Sequence, residues 1–439
     1  MNQAVNHSKI CFSDAKFSKY HYKSFIGGMG GQFTDGYILG LIGIALSLAV
    51  IPLGLTTFWQ GIVGSASLIG LFFGSLLAGP LADKIGRKPI YNLTMPIFAI
   101  VSVLQFFVTD PLQLTILRVI LGVALGADYA AGLSLVSETV PNRSRGKVLS
   151  VLMVGWVAGF SIAYIIGYIL MLYGDANVWR WILLSSVVPA VIVFLIRLGT
   201  PESPIWLVNQ GRSKEAEVII KKHLGPHVAV PAKSNVQTEK SSWLKLFSKK
   251  WRKNSFIGGL FYTCQVIPYF AISTFMPKIM ESFNFKDNYA SGIIYNVFLL
   301  IGSVVGLLII NRISRRAFLV GSFYITGILL MALVVWTEMP STLVLIFFSL
   351  FACVLAGAGV LEFAYTPELF PTELRASGVG FVVASSRLGG AGATFLLPFL
   401  MNNYGTSVAL GGCVAALIVG GVICHIWAPE TKHISFNSH

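Results

Sequence analysis

Twelve predominantly apolar stretches, each roughly twenty residues or longer and closed by a short polar turn, run through a chain of 439 residues. A helix of about 20 apolar residues spans the hydrocarbon core of a bilayer. In that core every backbone N–H and C=O must be satisfied within the segment or within a closed barrel. The stretches are continuous rather than alternating at period two, which excludes a transmembrane barrel and leaves an all-α polytopic membrane protein. Only 11% of the residues are charged and the mean hydropathy is +0.75. A soluble domain carries roughly 25% charged residues, so a soluble enzyme and a nucleic-acid-binding protein are excluded too. Spans are predicted at 24–50, 57–82, 89–109, 112–137, 146–173, 179–199, 255–280, 288–310, 317–337, 341–366, 376–402 and 405–428.

The net charge of +14 invites a search for an acidic partner, but the placement of the charges explains it otherwise. With twelve spans, both termini lie on one side. All but five of the 32 Lys and Arg then fall on that side, in the tails, the short turns and the stretch from Arg197 to Lys253. The five are Arg180, Lys278 and Lys286 on the far side, and Arg118 and Arg387 within spans. Lys and Arg accumulate on cytoplasmic loops, so both termini are expected in the cytoplasm and the protein in the cytoplasmic membrane. The polar start has no apolar run with a cleavage-like site, and no signal peptide is expected. Five scattered cysteines form no CxxC pair, so neither structural disulfides nor a zinc site is expected.

The longest polar stretch divides the spans six and six, and motifs recur across it. GPLADKIGRK after the second span matches NRISRR after the eighth, and PESP at 201–204 matches PETK at 429–432, both at an offset of 228. Glu138, Pro141 and Arg145 match Glu368, Pro371 and Arg375 at an offset of 230. Three coincident pairs predict two related six-helix halves, which places a substrate site near the midplane between them. The expected organisation is a tail over 1–23, a bundle over 24–199, a linker with short surface helices over 200–253, a second bundle over 254–428 and a tail over 429–439. These motifs, with RVILGVALGA at 118–127, SETVPNRSRG at 137–146, PESPIWL at 201–207 and TPELFPTELRASG at 366–378, resemble the major facilitator superfamily. Within it they are similar to the sugar-porter, organic-ion and metabolite:proton symporter branches.

Asp83, Arg87, Glu138, Arg145, Glu202, Glu368, Arg375 and Glu430 all fall at helix ends on the termini's side. Carboxylates at helix N-termini and guanidinium groups beside carboxylates form charge-assisted bonds. The resemblance implies that this set latches the outward-facing state and is released as the protein opens to the cytoplasm; plain anchoring and capping is the competing reading.

Ionisable groups within spans usually face a wet cavity and carry function, and five stand out: Asp35, Arg118, Asp128, Glu362 and Arg387. The resemblance implies that Asp35 pairs with Arg118 and that its protonation releases the pair. A carboxylate suits this because burial and a neighbouring guanidinium act on its ionisation in opposite senses. Asp128 and Tyr129, in GADYAAGLSLVSE, resemble the GGDYP-type helix of phosphate:proton symporters. Ala130 in place of the proline and the lack of an acid in the seventh span argue against phosphate. Asp128 is left as a second proton site, a substrate ligand or an interhelical bond. Phe363 occupies the place of an aromatic residue under the substrate in sugar porters. Arg387 either binds a carboxylate bidentately or neutralises Glu362. Gln32, Trp156, Gln265, Tyr269, Tyr295 and Asn296 complete the predicted substrate-binding set alongside Tyr129, Glu362, Phe363 and Arg387.

The expected function is secondary active transport of a small polar organic solute, a sugar-like metabolite or an organic acid, as a proton symporter. No cofactor or metal is called for, the energy source being the proton gradient. The partners are the solute, protons and the lipid bilayer, with no nucleic acid, and the protein is expected to act as a monomer. The alternative is a proton-coupled efflux antiporter for drugs or organic cations, against which Arg387 weighs. A transport-dead sensor finds little room in a short linker. Nor does any Walker loop, HExxH or GxSxG fall in a folded soluble segment.

Overall fold

The computed structural model describes residues 10–232, 243–370 and 374–431. Lys432, counted above on the basic side, lies outside the described residues, as does the side chain of Arg375. Among the described residues, twelve helices are long and apolar enough to cross a membrane. They are α1 (Lys19–Ala49), α2 (Thr57–Ile85), α3 (Arg87–Phe106), α4 (Pro111–Thr139), α5 (Asn142–Tyr173), α6 (Val178–Arg197), α7 (Arg252–Thr274), α8 (Asn288–Ile309), α9 (Arg315–Val335), α10 (Ser341–Glu368), α11 (Ser377–Tyr404) and α12 (Thr406–Trp427). Every expected span has its helix, most of them extended by a few polar residues at the ends.

The helices start where side chains can satisfy orphan N–H groups. Thr56, Asp110, Asp287 and Ser314 accept from the first turns of α2, α4, α8 and α9. Glycine then decides which helices meet at backbone distance. A Cβ on Gly70, Gly74, Gly122 or Gly126 would strike the backbone of the facing helix, which clasps α2 against α4. Gly302 and Gly306 press α8 onto the backbone of Cys353 and Gly357 in α10 in the same way. Without a hydrophobic driving force between helices in lipid, such small-residue contact is a main source of association. Six helices either side of the linker thus form two related bundles, each with its own backbone clasp.

The bundles meet along α2 with α11 and α5 with α8. At the end opposite the termini they are tied by hydrogen bonds. The Tyr168 hydroxyl donates to Asp287 at 3.1 Å, Asn402 donates to the Thr57 hydroxyl at 2.5 Å, and the Ser47 and Tyr289 hydroxyls lie 3.2 Å apart.

On the termini's side the repeat is visible in three dimensions. Arg87 of α3 bridges Asp83 at 2.7 Å and Glu138 at 3.1 Å, and its counterpart Arg315 of α9 lies 3.5 Å from Glu368. Glu202 accepts from the Lys88 N–H, and Glu430 from the N–H groups of Arg315 and Arg316, so each carboxylate caps a helix start where the dipole favours it. Gly86, at φ +104°, permits this approach, since a Cβ there would meet the Glu202 carboxylate. In this structure these pairs join helices within one bundle. Arg145 is half-buried in the first turn of α5.

The linker carries helices at Pro204–Asn209 and Ser213–His223. A segment preceding α1 straps onto it: the Ile10 N–H donates to the His227 carbonyl at 2.9 Å and the Ala229 N–H to the Ile10 carbonyl at 2.8 Å. Phe12, Ala15 and Tyr20 pack there against Ile220 and Val228.

Candidate functional site

A small cavity of about 30 Å³ sits between the bundles. Gln32 of α1, Tyr129 of α4 and Trp156 of α5 line it from one bundle. Tyr262, Gln265, Tyr269 and Phe270 of α7, Glu362 and Phe363 of α10 and Arg387 of α11 line it from the other. Eight of the ten residues expected to bind substrate are therefore brought together.

Local sequence explains how. Gly36 and Gly159 let α1 and α5 touch backbone to backbone, which draws Gln32 and Trp156 to the interior. Gly389 and Gly390 of α11 leave room for the side chains of Thr263 and Val266 of α7. Trp156, Tyr269 and Phe270 then form one aromatic cluster, with centroid separations of 5.4–6.1 Å, and Tyr129 meets Phe363 across the bundle interface at 6.0 Å. Buried amides normally find partners. Yet both polar ends of the Gln265 amide and the Gln32 carbonyl have no hydrogen-bond partner among the described residues, at 3% and 2% exposure.

Two expected members are elsewhere. The Tyr295 hydroxyl lies 3.2 Å from that of Ser273; the Asn296 side-chain nitrogen donates to the Gly292 carbonyl one turn back at 2.8 Å, its main-chain carbonyl accepts from Ser161, and its Oδ1 has no partner among the described residues. Neither lines the cavity wall. The expected Asp35–Arg118 pair is also absent among the described residues. Arg118 donates to the Ile38 carbonyl at 3.3 Å, with Nε and Nη2 unpartnered, and Asp35 Oδ1 is unpartnered as well. Asp35 is buried on α1, one turn beyond Gln32 and Gly31.

Asp128 has a partner that sequence reasoning missed. Arg197, assigned above to the basic rim, is the last residue of α6 and is fully buried. Its guanidinium grips Asp128 with both nitrogens, at 2.5 and 2.9 Å, and donates to the carbonyls of Tyr91 at 2.7 Å and Gly27 at 3.1 Å. The Tyr91 ring lies 3.7 Å beneath it, and Thr94 donates to Asp128 at 2.6 Å. Gly31 makes room, since a Cβ there would meet both charged groups. Neither Asp128 nor Arg197 lines the cavity. The signal in the sequence was Asp128 itself: a carboxylate deep in a span demands a counter-ion, and Arg197 is the only basic residue of the sixth span other than Arg180 at its start.

Twelve spanning helices in two related bundles around a central polar and aromatic cavity define a transporter of the major facilitator class. The chain belongs to the family described as "Sugar (and other) transporter", whose model matches residues 7–439. It is 37% identical to the inner membrane metabolite transport protein YgcS of Escherichia coli over 98% of this chain and 96% of that one. It is 28% identical to an arabinose-proton symporter of Bacillus subtilis over 93% of this chain and 91% of that one. Among solved structures, the partially occluded inward-open xylose transporter XylE of E. coli superposes with a TM-score of 0.83 at 19% identity, over 95% of this chain and all of that one. The protein is thus a multi-pass membrane transporter of the sugar and metabolite class; its relatives are transport proteins, not enzymes.

Proposed function

We propose that the chain is a proton symporter that carries a small polar organic solute, a sugar-like metabolite or an organic acid, by alternating access. It uses the proton gradient as its energy source and needs no cofactor. The observation that carries the reading is the pair of unpartnered glutamines, Gln32 and Gln265, facing one cavity from the two bundles. A solute bonded to both closes the bundles around itself, which is the step alternating access requires. The ties at the end opposite the termini leave the bundles closed at that end, consistent with a state that faces the side of the termini. The distribution of Lys and Arg supports a cytoplasmic position for that side. Proton coupling falls to Asp35, with Arg118 as the cation it engages in the other state. Both hold unpartnered polar atoms one turn apart along α1, Arg118 through the Ile38 carbonyl. The arabinose-proton symporter among the relatives supports this coupling. An efflux role for organic cations fits less well, because Arg387 stands in the cavity wall.

The test is uptake into proteoliposomes under an imposed inward proton gradient. Wild type accumulates the solute and loses it on adding a protonophore. Asp35→Asn abolishes accumulation but retains exchange of labelled for unlabelled solute. Uptake that ignores the protonophore, with Asp35→Asn behaving as wild type, would sink the coupling.

A further inference from the structure

Arg387 is the one charged side chain of the cavity wall whose guanidinium makes no hydrogen bond to any described residue. It is 6% exposed, lines the cavity, and its Nε is buried without a partner. Its surroundings are aromatic, with the ring centroids of Phe270, Tyr262 and Tyr129 at 5.7, 5.8 and 6.0 Å from the guanidinium carbon. Those rings stabilise a cation through their faces, and the Tyr262 hydroxyl takes no hydrogen bond from its N–H groups. Glu362 is the acid that shares the cavity wall. No ion pair within 4.0 Å joins it to Arg387 among the described residues. The contrast with Arg197 is direct: that buried arginine is saturated with acceptors, as a structural arginine should be. A buried fork of donors with none of its bonds made is poised for an acceptor that comes and goes.

We propose that the transported solute is a ring-bearing monocarboxylate. Its carboxylate docks on the Arg387 fork, its ring lies among Tyr129, Tyr262 and Phe270, and its hydroxyl or ring polar atoms reach Gln32 and Gln265. Carboxylate matches the planar guanidinium bidentately, whereas a neutral sugar would leave the charge desolvated and unanswered. The inference rests on the transport reading but narrows its substrate from polar solutes in general to anionic ones. Sugar acids and aromatic acids share the required chemistry and are separate arms of the test.

The experiment measures binding to the purified full-length protein in detergent by calorimetry, followed by uptake into proteoliposomes. The probes are glucuronate, nicotinate, the methyl ester of each, glucose and xylose. One of the acids is expected to bind, with its methyl ester and both sugars at least about tenfold weaker, the scale of one charge-assisted hydrogen bond. Arg387→Gln should raise the acid's Kd about tenfold to a hundredfold, and Arg387→Lys, which keeps the charge but loses the fork, should fall between. The ester comparison uses only wild type, so it stands even where an Arg387 variant fails to fold. Binding by a sugar as strong as that by the acids, or an ester that binds like its acid, would overturn the proposal. If neutral sugars are also accumulated, transport stands while the carboxylate inference fails. If an acid binds but no probe is moved, the carboxylate site stands and the transport reading fails.

Discussion

Replacing Arg197 by glutamine should damage this protein more than replacing any residue of the cavity wall. The substitution removes two charge-assisted bonds to Asp128, at 2.5 and 2.9 Å, and leaves that carboxylate, 1% exposed, with the Thr94 hydroxyl as its remaining side-chain donor. It also strips a donor each from the Tyr91 and Gly27 carbonyls and removes a cation from above the Tyr91 ring. Removing one partner of a buried pair costs about 3–5 kcal/mol, and the additional orphaned carbonyls place Arg197→Gln near the upper end of that range. Asp128→Asn should cost less, about 3 kcal/mol, because the arginine keeps its two carbonyl acceptors. The double variant leaves no lone charge, so its loss should fall short of the sum of the singles by about 1–3 kcal/mol. Membrane proteins in detergent unfold irreversibly, so the assay is the rate at which monodisperse protein disappears at a fixed temperature, read by size exclusion. Arg197→Gln should lose its monodisperse form far faster than wild type, with the double variant less impaired than additivity predicts. An Arg197→Gln protein as durable as wild type, or strict additivity, would refute the view that Asp128 and Arg197 act as one buried unit.

Two further outcomes follow from features outside the cavity. Tyr168→Phe combined with Asn402→Ala removes two of the bonds that tie the bundles opposite the termini, each worth about 0.5–1.5 kcal/mol. Spin labels at the exposed positions Ile51 and Tyr404 should report a larger population with long separations; an unchanged distance distribution would rule out a closing role for these bonds. His223 lies against Tyr20, ring centroids 5.6 Å apart, and burial, with Lys222 and Lys23 nearby, holds its imidazole below the usual histidine range. A depressed histidine stabilises the fold above its unfolded value of about 6.5, and that contribution is lost as pH falls through that value towards the folded one. Hydrogen exchange at Ile10 and Ala229 should therefore quicken between pH 7 and pH 5, after correction for intrinsic rates, and His223→Gln should flatten the response. Equal protection at both pH values in wild type would contradict it.

The spans were legible because their signal is additive: twenty apolar residues in a row leave one solution in lipid, and the repeat of Arg87 and Glu138 in Arg315 and Glu368 was visible as spaced motifs. Which polar residue of a span faces the cavity is a matter of helix rotation, to which the apolar count is blind. Gln32 and Gln265 were found because each is an isolated amide in a span. Tyr295 and Asn296 read the same way in sequence, but the close fit of Gly292 beneath Tyr164 turns that face of α8 towards α5. Arg197 was misassigned because it stands at a span's end, beside LGTPESP, where a basic residue ordinarily snorkels to the rim. Only the small residues Gly27 and Gly31 of α1, which open a pocket for it, say otherwise, and their meaning depends on knowing that α1 and α6 are neighbours.

The backbone clasps of α2 with α4 and of α8 with α10 have a mechanical consequence. Where main chain rests on main chain, no side chain can change rotamer to absorb a displacement, so each bundle turns as a stiff lever. A helix of 29 residues such as α2 is about 43 Å long, putting its tips about 20 Å from a pivot at mid-depth. A tilt of about 10° then carries a tip by about 3.5 Å, further than the reach of any hydrogen bond. In the alternating-access cycle proposed above, a small tightening around the solute would thereby be geared up into parting the far ends, with stiffness, rather than flexibility, letting the grip at the centre open the door at the edge.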